Sequence, residues 1–253
     1  MKTPDIRLWI AARAVQAVSI EKRHEQVLER MSQIGPPLGF AGLELPSAPD
    51  CGDGLAATYG VKLPIRGLKF AGDYIFRGER FNYQDNGRFD DYLRFGFKVS
   101  NRALNYKEIV HEHFPRVIDA FRGYRAFLAY GEYYSAYCGG YVPSDDGSTA
   151  FDAQGNAVLN NLTYNCLLAD KTIDLDGRNN IYVLSPAVYW DNELCQRALG
   201  YGPDEVIRRL NGLVPKVEFL SDGVYIVFND DHELSFEAFL FINEYFKPVL
   251  GLI

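Results

Sequence analysis

A β-hairpin between residues 70 and 100 constrains the fold of this chain more than any other local pattern. Residues 70–83 and 88–100 are rich in Phe and Tyr, and they flank the turn Gln-Asp-Asn-Gly at 84–87. Asn-Gly is the preferred pair for a two-residue turn, because both positions accept a positive φ. Apolar side chains alternate along the second strand and define one face of it: Leu93, Phe95, Phe97 and Val99. The segment therefore predicts antiparallel sheet.

The rest of the N-terminal half alternates strands with helices. Residues 5–14 predict a strand, and Ser19 is a candidate N-cap for the helix that follows. The Pro- and Gly-rich residues 35–67 predict a long irregular connection. A helical pattern interrupted at Pro115 predicts two short helices or one kinked helix, and the small and aromatic residues at 125–137 predict a strand.

The C-terminal half contains a second hairpin and three helices. The predicted strands are 180–185, 214–220 and 224–229, and the predicted helices start near Asp191, at Pro203 and after Ser235, with Pro248 ending the last one. Because the strands are joined by hairpins rather than βαβ units, the fold class is α+β with mostly antiparallel sheet and packed helices. The two hairpins, each with helices nearby, suggest two sub-lobes, at 1–138 and 139–253, unless the chain forms one continuous domain.

Acidic charge is concentrated in the second part of the chain. Residues 1–138 contain 19 Lys and Arg against 16 Asp and Glu, whereas residues 139–253 contain 7 against 17. This split makes the C-terminal part a candidate negative surface for a basic partner. Eight acidic residues in the turn-rich region 139–178 and in the turn 229–233 are the candidate partner-binding set. They are Asp145, Asp146, Asp152, Asp174, Asp176, Asp230, Asp231 and Glu233.

Composition and motifs argue against several other functions. A net charge of −7 is the wrong sign for a nucleic-acid-binding protein. The chain has no P-loop, HExxH or GxSxG motif, so no catalytic residue or cofactor is predicted. His111 and His113 would point about 200° apart on a regular helix, which argues against a metal site.

The compartment expected from the sequence is the cytoplasm. No stretch approaches about 18 uncharged apolar residues, and the N-terminus has no clean signal-peptide core. The cysteines have no CxxC spacing, and free buried thiols are favoured over disulfides: Cys51, Cys138, Cys166 and Cys195.

Four segments resemble those of a bacterial immunity protein. They are YIFRGERF at 74–81, FPRVIDAFRGYRA at 114–126, PAVYWDNELCQRAL at 186–199 and DGVYIVF at 222–228. Together they are similar to immunity protein family 52, which accompanies polymorphic and type VI secretion toxins. The resemblance implies a non-catalytic inhibitor whose partner is a cognate toxin, a restriction-endonuclease-like nuclease. A nuclease must attract phosphate, so an acidic inhibitor would be steered to its positive cleft.

Two other classes of function stay open at this stage. A small hydrolase would need His111, His113 or His232 beside a carboxylate in a concave pocket. A secretion-system accessory protein would show self-association in place of one foreign partner. The oligomeric state does not follow from the sequence.

Overall fold

The structure is a computed structural model, and it places two compact units in the chain. It describes residues 5–15, 17–50, 56–75, 90–144, 149–158, 170–174 and 176–252. One unit comprises Leu8–Phe97 and Asn101–Ala126, and the other comprises Met1–Arg7, Lys98–Ser100 and Phe127–Ile253. By sequence, the first has 16 Lys and Arg against 14 Asp and Glu, a net of +2, and the second has 10 against 19, a net of −9. We call them the basic unit and the acidic unit.

Among the described residues, four strands belong to the basic unit, except that residues 5–7 and 98 at two strand ends belong to the acidic unit. The strands are β1 (Asp5–Arg13), β2 (Ala56–Tyr59), β3 (Lys69–Ile75) and β4 (Asp90–Lys98), in the order β2-β3-β4-β1. β3 pairs antiparallel with both β2 and β4, and Asp73 lies opposite Tyr92. Leu93, Phe95 and Phe97 are buried, as their alternation predicts. The turn predicted at 84–87 lies outside the described residues.

The helices of the basic unit are α1 (Ile20–Met31), α2 (Tyr106–Glu108) and α3 (Phe114–Phe121), with a π-helical segment at Ile109–His113 that joins α2 to α3. The Ser19 hydroxyl accepts the Lys22 N–H at 3.3 Å, which confirms Ser19 as the N-cap. Pro115 lies in the first turn of α3, where its missing N–H is tolerated. α1 packs against α3.

The strands of the acidic unit are β5 (Arg125–Tyr130), β6 (Ala187–Asp191), β7 (Lys216–Leu220) and β8 (Gly223–Val227), in the order β5-β6-β8-β7. β8 pairs antiparallel with β6 and β7, and every residue of β6 and β8 is buried. Gly223 is required at the β7–β8 turn, because a Cβ there would lie 2.1 Å from the Trp190 carbonyl oxygen.

The described helices of the acidic unit are α4 (Gly131–Gly139), α5 (Asn192–Leu199), α6 (Pro203–Leu210) and α7 (Phe236–Leu250). The Asp191 carboxylate accepts the Leu194 N–H at 2.7 Å and caps α5, and the Ser235 hydroxyl accepts the Ala238 N–H at 3.1 Å and caps α7. α7 packs against α4 and α6. No helix among the described residues is long and apolar enough to cross a membrane.

The α+β class with antiparallel strand pairs is confirmed, whereas four local predictions are wrong. Residues 131–139 are helical, the 35–67 connection contains β2, and Pro248 lies inside α7, which ends at Leu250 before the left-handed Gly251. The strand predicted at 180–185 is absent, and β6 starts only at Ala187. The proposed boundary between residues 138 and 139 stays a prediction.

Tertiary contacts explain two of these differences. The buried Asn243 side chain accepts the Leu184 N–H at 2.8 Å and donates to the Leu184 carbonyl at 2.9 Å, so this backbone is satisfied by a side chain of α7. In α4, Tyr133 and Tyr137 are four residues apart and both contact Phe239 of α7. The helix thus places two aromatic rings on one face, which overrides their strand propensity.

Candidate partner-binding surface

The acidic turn at residues 229–233 leads directly into α7. Asn229 Oδ1 accepts the Asp231 N–H at 2.8 Å, and Asp231 Oδ1 accepts the Glu233 N–H at 2.9 Å. Both are Asx turns, in which a side-chain oxygen binds the backbone two residues on. Asp231 and Glu233 are exposed, and Asp230 is half-buried. The turn is therefore ordered by one of its own carboxylates while it remains strongly negative.

A tyrosine from β5 fixes this turn. The buried Tyr130 donates its hydroxyl to the His232 carbonyl oxygen at 2.8 Å. The His232 ring is more than half exposed and lies 3.7 Å from an Asp231 oxygen and 3.8 Å from a Glu233 oxygen. His232 stands on the surface beside two acids.

Asp174 and Asp176 belong to a second turn. Asp174 Oδ1 accepts the Asp176 N–H at 2.8 Å, and Asp176 Oδ1 accepts the Arg178 N–H at 2.9 Å. The second Asp174 oxygen accepts the Asn179 side-chain amide at 2.7 Å. Asp174 is exposed and Asp176 is half-buried. The turn-rich character predicted for this region thus holds at both aspartates, and their side chains help to form the turn.

Asp152 organises a third turn. Its Oδ1 accepts the N–H groups of Asn156 at 2.8 Å and Gln154 at 2.9 Å. These hydrogen bonds lower the pKa of the exposed Asp152 carboxyl, and the bond from the Asn156 backbone has the largest effect. Asp145 and Asp146 lie outside the described residues. Of the eight candidates, Asp230, Asp231 and Glu233 share one turn, Asp174 and Asp176 share another, and Asp152 is in a third.

Two exposed aromatic side chains on α7 were not identified from the sequence. Phe241 is 57% exposed and Tyr245 is 45% exposed, and their rings stack with centroids 5.2 Å apart and planes at 14°. Phe239, Ile242 and Phe246 form the buried face of the same helix. The sequence offered one signal for this pair: Phe241 and Tyr245 are four residues apart, which places them on the same side of a helix, away from its buried face. Exposed Glu244 lies between the two rings in sequence, so the face combines aromatic area with negative charge.

The described residues contain no group of three or more His, Cys, Asp or Glu side chains placed to hold a metal ion. His113 is half-buried, and burial and then the charge of Arg116 lower its pKa. His24 is buried between the Tyr74 hydroxyl and the Pro46 carbonyl, each at 3.0 Å.

Comparison with known proteins identifies a structural neighbour of low sequence identity. Neither a protein-family model nor a curated protein matches the chain. A solved structure described as the Pseudomonas aeruginosa T6SS protein PA0821 is similar at 13% identity, with a TM-score of 0.48, over 98% of this chain and 74% of that one. A TM-score of 0.48 does not establish a common fold. Membership of immunity protein family 52 stays a prediction.

Proposed function

We propose that this chain binds and neutralises a basic protein toxin through the acidic unit. The observation that carries the proposal is the stacked, exposed Phe241–Tyr245 pair on the helix that follows the acidic turn 229–233. This arrangement combines an apolar anchor with a negative approach surface in a unit of net charge −9.

The negative charge of the acidic unit attracts the basic toxin before the two proteins touch. Exposed carboxylates at Asp231, Glu233 and Asp174 attract a positive partner over roughly one Debye length, about 8 Å at physiological salt. This attraction raises the association rate more than the final affinity. The Asx turns hold the 229–233 backbone in place, so the charges are presented on an ordered surface.

The aromatic pair provides the affinity. Large aromatic side chains are enriched at the energetic centres of interfaces, because they bury much area at little entropic cost. Phe241 and Tyr245 stack on each other, which restricts both rings before a partner arrives. Pro248, one turn further along and exposed, extends the same face.

The resemblance to immunity protein family 52 supplies the class of partner. It favours a nuclease toxin, whose positive cleft would accept an acidic inhibitor in place of nucleic acid. In this proposal the chain acts in the cytoplasm of the toxin producer, has no catalytic step and needs no cofactor.

Co-expression with basic nuclease toxins, beginning with any that a neighbouring gene encodes, tests the proposal. The expected result is a stable complex on co-purification and survival of cells that otherwise die. Absence of a complex together with full toxicity at equal expression would refute it.

A double variant locates the interface. We expect Phe241→Ala with Tyr245→Ala to weaken toxin binding about 30-fold or more, which corresponds to the loss of roughly 2 kcal/mol at an interface centre. Phe151→Ala is the matched control, because Phe151 is 64% exposed in the same unit but lies outside α7. Equal binding by both variants would place the interface elsewhere.

A further inference from the structure

The basic unit contains a cleft lined by three arginines. The cleft has a volume of about 390 Å³ and lies between the C-terminal end of α1, the loop that follows it and one side of α3. Arg30, Arg116 and Arg122 line it, together with Gln33 and Asp119. With one carboxylate against three guanidinium groups, the titratable side chains of the lining sum to +2.

Local contacts satisfy these arginines only in part. Arg122 forms an ion pair with Asp119 at 3.3 Å, but the two side chains are 60% and 50% exposed, so the pair is weak. The Arg30 guanidinium donates to the Ala120 carbonyl at 3.5 Å, the outer limit of a hydrogen bond. Arg116 is exposed on the same side of α3, three residues before Asp119.

The backbone at Arg122 has an uncommon conformation. Arg122 follows α3 with φ 56° and ψ 50°, in the left-handed region where glycine is usual after a helix. The arginine could not stand at position 123 with the glycine at 122, because a Cβ at Gly123 would lie 2.7 Å from the Ile10 side chain. The chain therefore keeps an arginine at a position that favours glycine, at the mouth of the cleft.

Helix electrostatics account for part of this cluster. Cations near the C-terminal ends of α1 and α3 are favoured by the helix dipole, and Arg30 and Arg122 satisfy this rule. The rule does not extend to Arg116, which lies outside the last turn of α3. Arg23 binds the Phe121 carbonyl of α3 at 2.8 Å, and Arg30 binds the neighbouring Ala120 carbonyl only at 3.5 Å.

Burial, with a smaller contribution from the cleft arginines, shifts the pKa of two neighbouring groups. Burial and then the charge of Arg116 lower the pKa of His113. Burial is also the main cause of the lowered pKa of Arg23, and the charge of Arg30 adds to it.

We propose that the cleft binds a small phosphate-bearing molecule. A planar guanidinium group can bind two phosphate oxygens at once. The cleft has three such groups and a net charge of +2, so a multiply charged phosphate suits it better than a ligand with a single carboxylate does. The volume lies at the lower end of the range for small-molecule pockets, about 300–1,000 Å³, so more than a bare ion fits. This site is in the basic unit and is independent of the toxin-binding proposal.

Thermal unfolding and calorimetric titration of the full chain test this site. The probes are inorganic phosphate and ATP, with sodium chloride at matched ionic strength and acetate as comparisons. We expect phosphate and ATP to raise the Tm while chloride and acetate do not. Equal shifts with all four would overturn the proposal, and so would binding of a short single-stranded oligonucleotide without binding of ATP.

Two variants separate binding from folding. Arg122→Gly suits the left-handed backbone, so its Tm without ligand should be no lower than that of the wild type, whereas its ATP affinity should fall about tenfold or more. Arg116→Gln should weaken binding similarly. The controls are Ser221→Gly, which makes the same backbone change at φ 52° in the other unit, and Arg102→Gln, which removes one exposed charge of the basic unit. Unchanged affinity in both cleft variants would overturn the site.

Discussion

Three buried aspartates of the basic unit contrast with the candidate partner-binding carboxylates of the acidic unit. In the basic unit Asp73, Asp90 and Asp91 are 7%, 6% and 1% exposed. Each contacts a side chain of its own unit: Arg94 at 2.6 Å, the Tyr124 hydroxyl at 2.7 Å and Arg23 at 3.4 Å, respectively. In the acidic unit the candidate carboxylates lie in surface turns. The three aspartates of the basic unit thus support its interior, whereas Asp174, Asp231 and Glu233 charge the surface of the acidic unit.

This difference shows that a count of charges does not by itself describe a surface. In the basic unit Asp91 and Asp73 form ion pairs with Arg23 and Arg94, while three other arginines line the cleft beside α3. In the acidic unit the Asx turns use one carboxylate oxygen for structure and leave the negative charge in solvent. Burial and pairing decide which charges a partner meets.

The largest expected effect is the loss of a buried acid in the basic unit. Asp91→Ala should lower the free energy of unfolding by about 3–5 kcal/mol, because it leaves the Arg23 charge buried without this partner. Urea unfolding measures the change. Replacement of both partners, Arg23→Met with Asp91→Leu, should restore much of the lost unfolding free energy. As a control, Asp231→Asn at an exposed position should change the urea midpoint little. An equally small effect of Asp91→Ala would remove the contrast between the units.

A smaller effect concerns the buried base of the acidic unit. Lys247 is 5% exposed, its ammonium lies 3.1 Å from the Tyr137 hydroxyl, and burial lowers its pKa to about 8. Between pH 8 and about 10.5 the folded chain has released this proton while the unfolded chain still holds it, so stability rises with pH there.

Lys247→Met removes this dependence. Compared with the variant, the wild type should gain about 2–3 kcal/mol of unfolding free energy between pH 7 and pH 10.5, as measured by urea unfolding at both values. Titrations shared by the two proteins cancel in the difference. Parallel pH profiles would mean that Lys247 keeps an ordinary pKa.

The sequence predicted local structure better than tertiary contacts. The caps at Ser19, Asp191 and Ser235 and the hairpin of β7 and β8 follow from short-range rules, and they were found. Residues 180–185 resemble a strand in composition, but the backbone of Leu184 is bound by Asn243, 59 residues away. A pattern within one segment cannot reveal that partner.

The candidate sites show the same limit. The turn at 229–233 was identified because its acids are close together in sequence, and the region of Asp152 and Asp174 was predicted to be rich in turns. Only the structure shows which carboxylate oxygens accept the backbone N–H groups there. The arginine cleft combines Arg30 with Arg116 and Arg122 from a helix more than 80 residues further on, so no local charge pattern predicts it.

The association rate with the toxin tests the central claim, that the acidic turn directs a basic partner to the aromatic face of α7. The turn variant is Asp230→Asn, Asp231→Asn and Glu233→Gln, in which the amide introduced at position 231 retains an oxygen for the Asx turn. The control is Glu21→Gln, Glu25→Gln and Glu29→Gln on the exposed side of α1, with the same change in net charge. We predict association about threefold or more slower than wild type at low salt for the turn variant alone, with the difference lost at high salt. Equal rates for the two variants would contradict the account.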